Sequence, residues 1–244
     1  MEVISPGVRR LGSDKVNWYL VEDAGKLTVV DAGVPGYWDQ VEPALQGLGV
    51  GFDDVAAVLL THAHSDHTGI AGKLHERGIP VYLHRDDQEL LRTGKEPWKR
   101  EANPLPYLRR PGIWSLFWHF GRNGALTPPK IGDALGIEDG DLLDVPGRPR
   151  VIHTPGHTPG SCSFWFEESK AVFTGDLMCT WNPFTGRRGP QIMPRPTNVS
   201  SAQSTQSLAR IETLDSDVVL PGHGEPWTDG VRSAVERARA AGES

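Results

Sequence analysis

Thiol chemistry is nearly absent from this chain. Of its 244 residues only Cys162 and Cys179 are cysteines, too few for a disulfide framework or a thiolate cage around a metal, and both are expected to be free thiols. A membrane-spanning run is also missing, because no apolar stretch reaches the length that crosses a bilayer. The N-terminus, Met1-Glu2-Val3-Ile4-Ser5-Pro6, lacks a basic segment leading into an apolar one, so a cytoplasmic protein without a membrane partner is expected. Basic excess is lacking too. The formal charge is −6, and an acidic surface repels phosphate backbones, which argues against nucleic acid as a partner. No short-period repeat or low-complexity segment divides the chain. Its length suits a single domain over residues 1–244.

Histidine is what the chain does have. Five of its nine histidines stand in three short segments: Thr61-His62-Ala63-His64-Ser65-Asp66-His67, Gly156-His157-Thr158 and Gly222-His223-Gly224. Neutral imidazole and carboxylate ligands suit zinc and its first-row neighbours. His62 and His64 alternate, so an extended backbone aims both rings the same way, while the turn through Ser65 directs Asp66 and His67 to a second position. One loop can therefore feed two metals. A metal pair also needs a carboxylate that offers one oxygen to each ion, and Asp176 in Phe173-Thr174-Gly175-Asp176-Leu177 is suited to that bridge. The glycine before it leaves room for close backbone approach.

Strands and helices alternate along the chain, which predicts an α/β fold. Strands are expected over Val16–Glu22, Lys26–Asp31, Val55–Leu60, Pro80–His84, Arg150–His153, Ser161–Phe166, Ala171–Thr174 and Val218–Leu220. Helices are expected over Trp38–Leu48, Ile70–Arg77, Asp86–Arg92, Ala202–Leu214 and Gly230–Ala241. The chain reads as two similar halves, with the candidate ligands just after strands, where open α/β sheets carry their sites. Gly94–Lys130 interrupts this pattern as an insertion rich in prolines and aromatics: Trp98, Tyr107, Trp114, Phe117, Trp118 and Phe120. These rings either build a local core or wall a substrate pocket, with Arg109, Arg110, Arg187 and Arg188 as rim charges. Arg195, with Arg187 and Arg188, lies on a later loop and is read as solvated rather than anion-binding.

The run His62-x-His64-x-Asp66-His67 resembles the signature of the metallo-β-lactamase superfamily, and the resemblance extends over the chain except the insertion. It implies a four-layer αββα sandwich with the metals at one edge. It further implies that His62, His64 and His157 bind one metal, that Asp66, His67 and His223 bind the other, and that Asp176 bridges. Asp31, in Val30-Asp31-Ala32-Gly33, would orient the ligand loop. Within the family, the segment after His223 is too short for the C-terminal domain of glyoxalase II enzymes, Asp176 departs from the zinc β-lactamases, and Leu177–Trp181 lacks the tyrosine of the quorum-quenching lactonases. The remaining histidines, His75, His84, His119 and His153, are read as structural.

Two bridged cations, zinc or else iron or manganese, favour hydrolysis by hydroxide, with Asp66 as candidate general base. The expectation is a metal-dependent hydrolase of a small ester, thioester or lactone. The alternatives are a mononuclear iron sulfur dioxygenase of the same fold, and less favoured a phosphodiesterase or a non-catalytic binding member.

Overall fold

The computed structural model describes residues 1–243. Four antiparallel strands open the chain: β1 (Glu2–Ser5), β2 (Val8–Gly12), β3 (Asn17–Asp23) and β4 (Lys26–Val30). Pairing then turns parallel through β5 (Val55–Leu59), β6 (Val81–His84) and β7 (Leu135–Ile137), which completes a seven-stranded sheet in sequence order. Parallel neighbours need crossovers, and helices supply them. Helix α1 (Trp38–Leu48) joins β4 to β5, α2 (Ala71–His75) joins β5 to β6, and α3 (Gln88–Thr93) and α4 (Pro111–Arg122) lie between β6 and β7. Helix α1 stops where Gly49 enters the left-handed region at φ 72°, a conformation that glycine adopts without steric cost.

The second sheet contains β8 (Arg150–His153), β9 (Cys162–Phe166) and β10 (Ala171–Gly175). The hairpin of β11 (Met178–Trp181) and β12 (Arg188–Ile192) follows, and β13 (Val218–Pro221) returns to lie parallel to β10. Helices α5 (Ser201–Ser207) and α6 (Val231–Ala241) complete the chain.

Strand periodicity sorts the side chains into layers. In β3, Trp18 and Leu20 pack toward α1 and α2, while Tyr19 and Val21 point the other way. There they meet Phe164, Phe166 and Phe173 of the second sheet. Val172 and Val219 alternate outward again, onto Ala234, Val235 and Ala238 of α6. The layers therefore run helix, sheet, sheet, helix, as expected.

Several elements were not read from the sequence. Strands β1 and β2 flank a Pro6-Gly7 turn and carry Arg9 and Arg10, which obscure their alternation. Strands β7, β11 and β12 are short or glycine-bearing. Helix α4 lies within the insertion and begins on Pro111-Gly112, and proline at the first helical position is favourable. The helix expected over 202–214 ends earlier, at Ser207, and passes into a 3-10 turn over Leu208–Arg210. Its serines compete for backbone hydrogen bonds and weaken helix propagation.

Candidate metal centre

Strand ends assemble the site. Strand β4 runs out at Asp31, β5 leads into residues 61–67, β10 into Asp176 and β13 into His223, while His157 lies on the connection from β8 to β9. Ligand atoms of His62, His64 and His157 lie within 4.8 Å of one another, as do those of Asp66, His67 and His223. Asp176 sits between the two sets. Its Oδ2 is 3.3 Å from Nε2 of both His157 and His223, and its Oδ1 is 3.4 Å from His67 Nε2. Asp66 Oδ2 lies 3.4 Å from His223 Nε2. All seven residues proposed from the sequence therefore converge.

Four of the five histidines are held by the ring nitrogen that faces away from the cluster. His62 Nδ1 contacts Thr61 Oγ1 at 3.1 Å, and His67 Nδ1 contacts Asp31 Oδ2 at 2.8 Å. His157 Nδ1 meets Asn198 Oδ1 at 3.0 Å, and His223 Nδ1 donates to the Lys15 carbonyl at 2.6 Å. His64 turns the other way: its Nδ1 lies 2.8 Å from His157 Nε2, and its Nε2 is 3.3 Å from Glu96 Oε1. Such contacts fix tautomer and ring orientation before any ion arrives. Meanwhile His62 Nε2, His67 Nε2 and Asp176 Oδ1 are buried without a hydrogen-bond partner. Leaving buried polar atoms unmade is costly, and a cation on each side of Asp176 would satisfy them. The residues fit a metal pair.

Asp31 has the orienting role expected of it. Its Oδ1 accepts from the Thr61 backbone N–H at 2.8 Å, and it adopts φ 55°, a region that few residues other than glycine, asparagine and aspartate enter. Gly175 enters the same region at φ 49°, and a Cβ there would lie 2.3 Å from Thr61 Oγ1. Across the site a Cβ on Gly222 would lie 2.5 Å from Asp176 Oδ1, so only glycine lets these strand ends approach.

Charge divides the cluster. Burial drives His157 down to about 3 and holds His62 well below its ordinary value. Burial also opposes charge on His223 and His67, but Asp176 raises His223 to about 9, while Asp31, Asp176 and Asp66 push His67 well above its ordinary value. The Asp176 carboxyl is likewise opposed by burial, yet His223, His67 and His157 hold it well below the usual carboxylate range. His62 and His157 are therefore held neutral, whereas His67 and His223 hold protons that an incoming cation must displace.

Two residues important to the site escaped sequence reading. Asp87 is fully buried and accepts from Ala63 N at 3.0 Å, Thr158 Oγ1 at 2.8 Å and Gly160 N at 2.8 Å, which pins the His62–His64 loop to the His157 loop. In the sequence it reads as an ordinary helix-start aspartate. Asn198 gave no signal, since it lies far along the chain from His157. The other histidines stay apart, as expected. His75 pairs with Asp133 at 2.9 Å and His119 meets Tyr37 Oη at 2.8 Å. His84 and His153 stack at 4.1 Å with planes only 6° apart, so their in-plane lone pairs do not converge on one point, although Asp86 is nearby.

The candidate ligands floor a cavity of about 350 Å³. Leu90, Leu91, Leu116, Phe120, Phe184 and Met193 give it apolar walls, and Arg100 is the cationic side chain among its lining. This corrects the expected roles within the insertion. Helix α4 turns Leu116 and Phe120 to the cavity, whereas Trp114 and Trp118 are 58% and 72% exposed. None of the four arginines expected at the rim lines it: Arg187 donates to the Ala241 carbonyl at 3.0 Å, and Arg109, Arg110 and Arg188 are exposed. Arg195 pairs with Glu101 at 2.9 Å.

Comparison with known proteins agrees with this geometry. The Bacillus subtilis protein named "Probable metallo-hydrolase YqgX" is 28% identical over 224 residues, which cover 90% of this chain and 89% of that protein. An uncharacterized Aquifex aeolicus protein is 29% identical over 229 residues, 92% of both chains. Among solved structures, the metallo-beta-lactamase family protein TTHA1429 of Thermus thermophilus superposes with a TM-score of 0.69 at 28% identity, covering 97% of this chain and 79% of that one. TTHA1623, solved in a di-iron-bound form, gives 0.65 at 28% identity, covering 95% and 97%. The model of the metallo-beta-lactamase superfamily matches residues 11–223, and the chain belongs to that superfamily.

Proposed function

We propose that this protein is a dinuclear metal-dependent hydrolase of a small ester, thioester or lactone with an apolar acyl portion. The observation that carries this reading is Asp176, whose carboxylate faces both ligand sets. His62, His64 and His157 would hold one ion, and Asp66, His67 and His223 the other. Zinc suits these donors, and so does iron. When bound, such ions bring water toward deprotonation near neutral pH and polarise a carbonyl oxygen.

The chain's own residues do the rest. Asp66 reaches the cavity from the second ligand set and is placed to take up a proton from the attacking water. Leu90, Leu116, Phe120 and Phe184 receive the acyl portion and exclude water from the cluster. Beyond the ligands, the titratable groups lining the cavity are Glu96 and Arg100. Burial opposes the Glu96 charge, but His64 and Arg100 outweigh it and hold the carboxyl well below its usual range, while Glu96 keeps Arg100 raised. Neither gives up a proton near neutral pH. Thiolate and alkoxide leaving groups need less protonation than an amine, which supports ester-like substrates over amides. A mononuclear iron dioxygenase would leave Asp66, His67 and His223 without a task, and this disfavours it.

A panel of acetyl and longer-chain esters, thioesters, lactones and a glutathione persulfide tests the reading. Turnover of an acyl substrate that falls by about 10²–10⁴-fold in Asp66→Ala is expected. Oxidation of the persulfide with no acyl hydrolysis would contradict it.

A further inference from the structure

Helix α4 has two apolar faces and uses only one. Ile113 and Leu116 are buried and Phe120 lines the cavity, while Trp114, Phe117 and Trp118, at the three- and four-residue spacings of the opposite face, are 58%, 47% and 72% exposed. Leu105, in the 3-10 turn just before α4, is 63% exposed. A soluble surface scatters such side chains singly, and a contiguous set marks an interaction site. The charge around the patch identifies the partner. Residues 94–130 carry seven lysines and arginines against two glutamates, in a chain whose net charge is −6. Arg109, Arg110 and Arg122 are exposed at the two ends of α4 and make no ion pair among the described residues. A second copy of this chain on the same face would bring those unpaired arginines together, which disfavours a symmetric dimer there.

We propose that the outer face of α4 docks the protein on an anionic lipid surface. Tryptophan and phenylalanine enter the headgroup boundary, and the flanking arginines engage the lipid phosphates. No helix of the described residues is long and apolar enough to cross a membrane, and none is required, since an interfacial helix lies in the plane of the surface. Leu116 and Phe120, on the inner side of the same helix, line the cavity.

Co-sedimentation of the full chain with phosphatidylglycerol–phosphatidylcholine vesicles and with phosphatidylcholine vesicles tests the proposal. Binding to the anionic vesicles that weakens with added salt is expected, because surface charges are screened. The partition coefficient should fall by about tenfold or more in Trp114→Ser/Trp118→Ser, a pair already solvent-exposed, and in Arg109→Ser/Arg110→Ser/Arg122→Ser. Melting temperature and metal content establish that each variant is folded. Absence of binding to the anionic vesicles, or binding that the folded variants retain, would overturn the proposal. A dimer in solution that Trp114→Ser/Trp118→Ser dissociates would also overturn it, by showing that a second copy covers the face.

Discussion

The two halves of the molecule solve the same problem with one difference. In each, an antiparallel pair runs into a parallel one: β3–β4 into β5, and β9–β10 into β13. In each, the first strand of the parallel pair ends in an aspartate and the second leads to histidine, Asp31 with His62 in one half and Asp176 with His223 in the other. Each half also holds one neutral and one charged imidazole, His62 and His67 against His157 and His223. The difference lies in the carboxylates. Asp31 is occupied by Thr61 and His67 Nδ1, whereas Asp176 Oδ1 has no hydrogen-bond partner and both of its oxygens face the cluster. A shared architecture thus yields one positioning carboxylate and one that is free to bridge.

Exchanging the fates of these aspartates gives the largest effect. Asp176→Ala should abolish retention of a metal pair and lower activity more than any other single change here, because it removes the donor shared by both sets. Asp31→Asn should keep both ions at high concentration while weakening affinity by about 10–100-fold, the usual effect of losing a contact that orients a ligand. Isothermal titration with zinc distinguishes the two variants, and equal losses would erase the contrast.

Protonation sharpens it further. In the metal-free protein, His157 sits at about 3 against an ordinary value of 6.5, so between those limits the unfolded chain binds a proton that the fold refuses. Stability should therefore rise with pH over that range. His223 sits at about 9, so between 6.5 and 9 the fold retains a proton that the unfolded chain has released, and stability should fall. A thermal melting series should peak near neutrality. Affinity for the ion held by Asp66, His67 and His223 should increase from pH 6.5 to 9 as His223 yields its proton.

The smallest effect concerns the cavity. Leu116→Ala and Phe120→Ala should raise KM several-fold more for long acyl chains than for acetyl substrates, at roughly 0.8 kcal/mol per methylene no longer buried. Trp114→Ala should not discriminate chain length, and steady-state kinetics over a chain-length series checks both.

Much of the site was legible because the candidate ligands leave a local mark: His62, His64, Asp66 and His67 lie in one loop, and the glycines beside Asp176 and His223 advertise close approach. The α/β class was legible from the alternation of strands and helices, and the αββα layering was implied by the family resemblance. Residues acting at long range were not. Asp87 and Asn198 touch the ligand loops from elements far away in sequence, and their residue types are common at helix starts and turns. The aromatic insertion was half legible. Its composition signalled an apolar wall, but only the helical phase of α4 decides that Leu116 and Phe120 face inward while Trp114 and Trp118 face solvent.

In the proposed centre the two halves would jointly hold two ions, with Asp176 shared between them. Elemental analysis of protein reconstituted with excess zinc and then desalted tests it most directly. Close to two ions per chain are expected in the unmodified protein and fewer in Asp176→Ala; a stoichiometry that stays at one in both would overturn the shared pair.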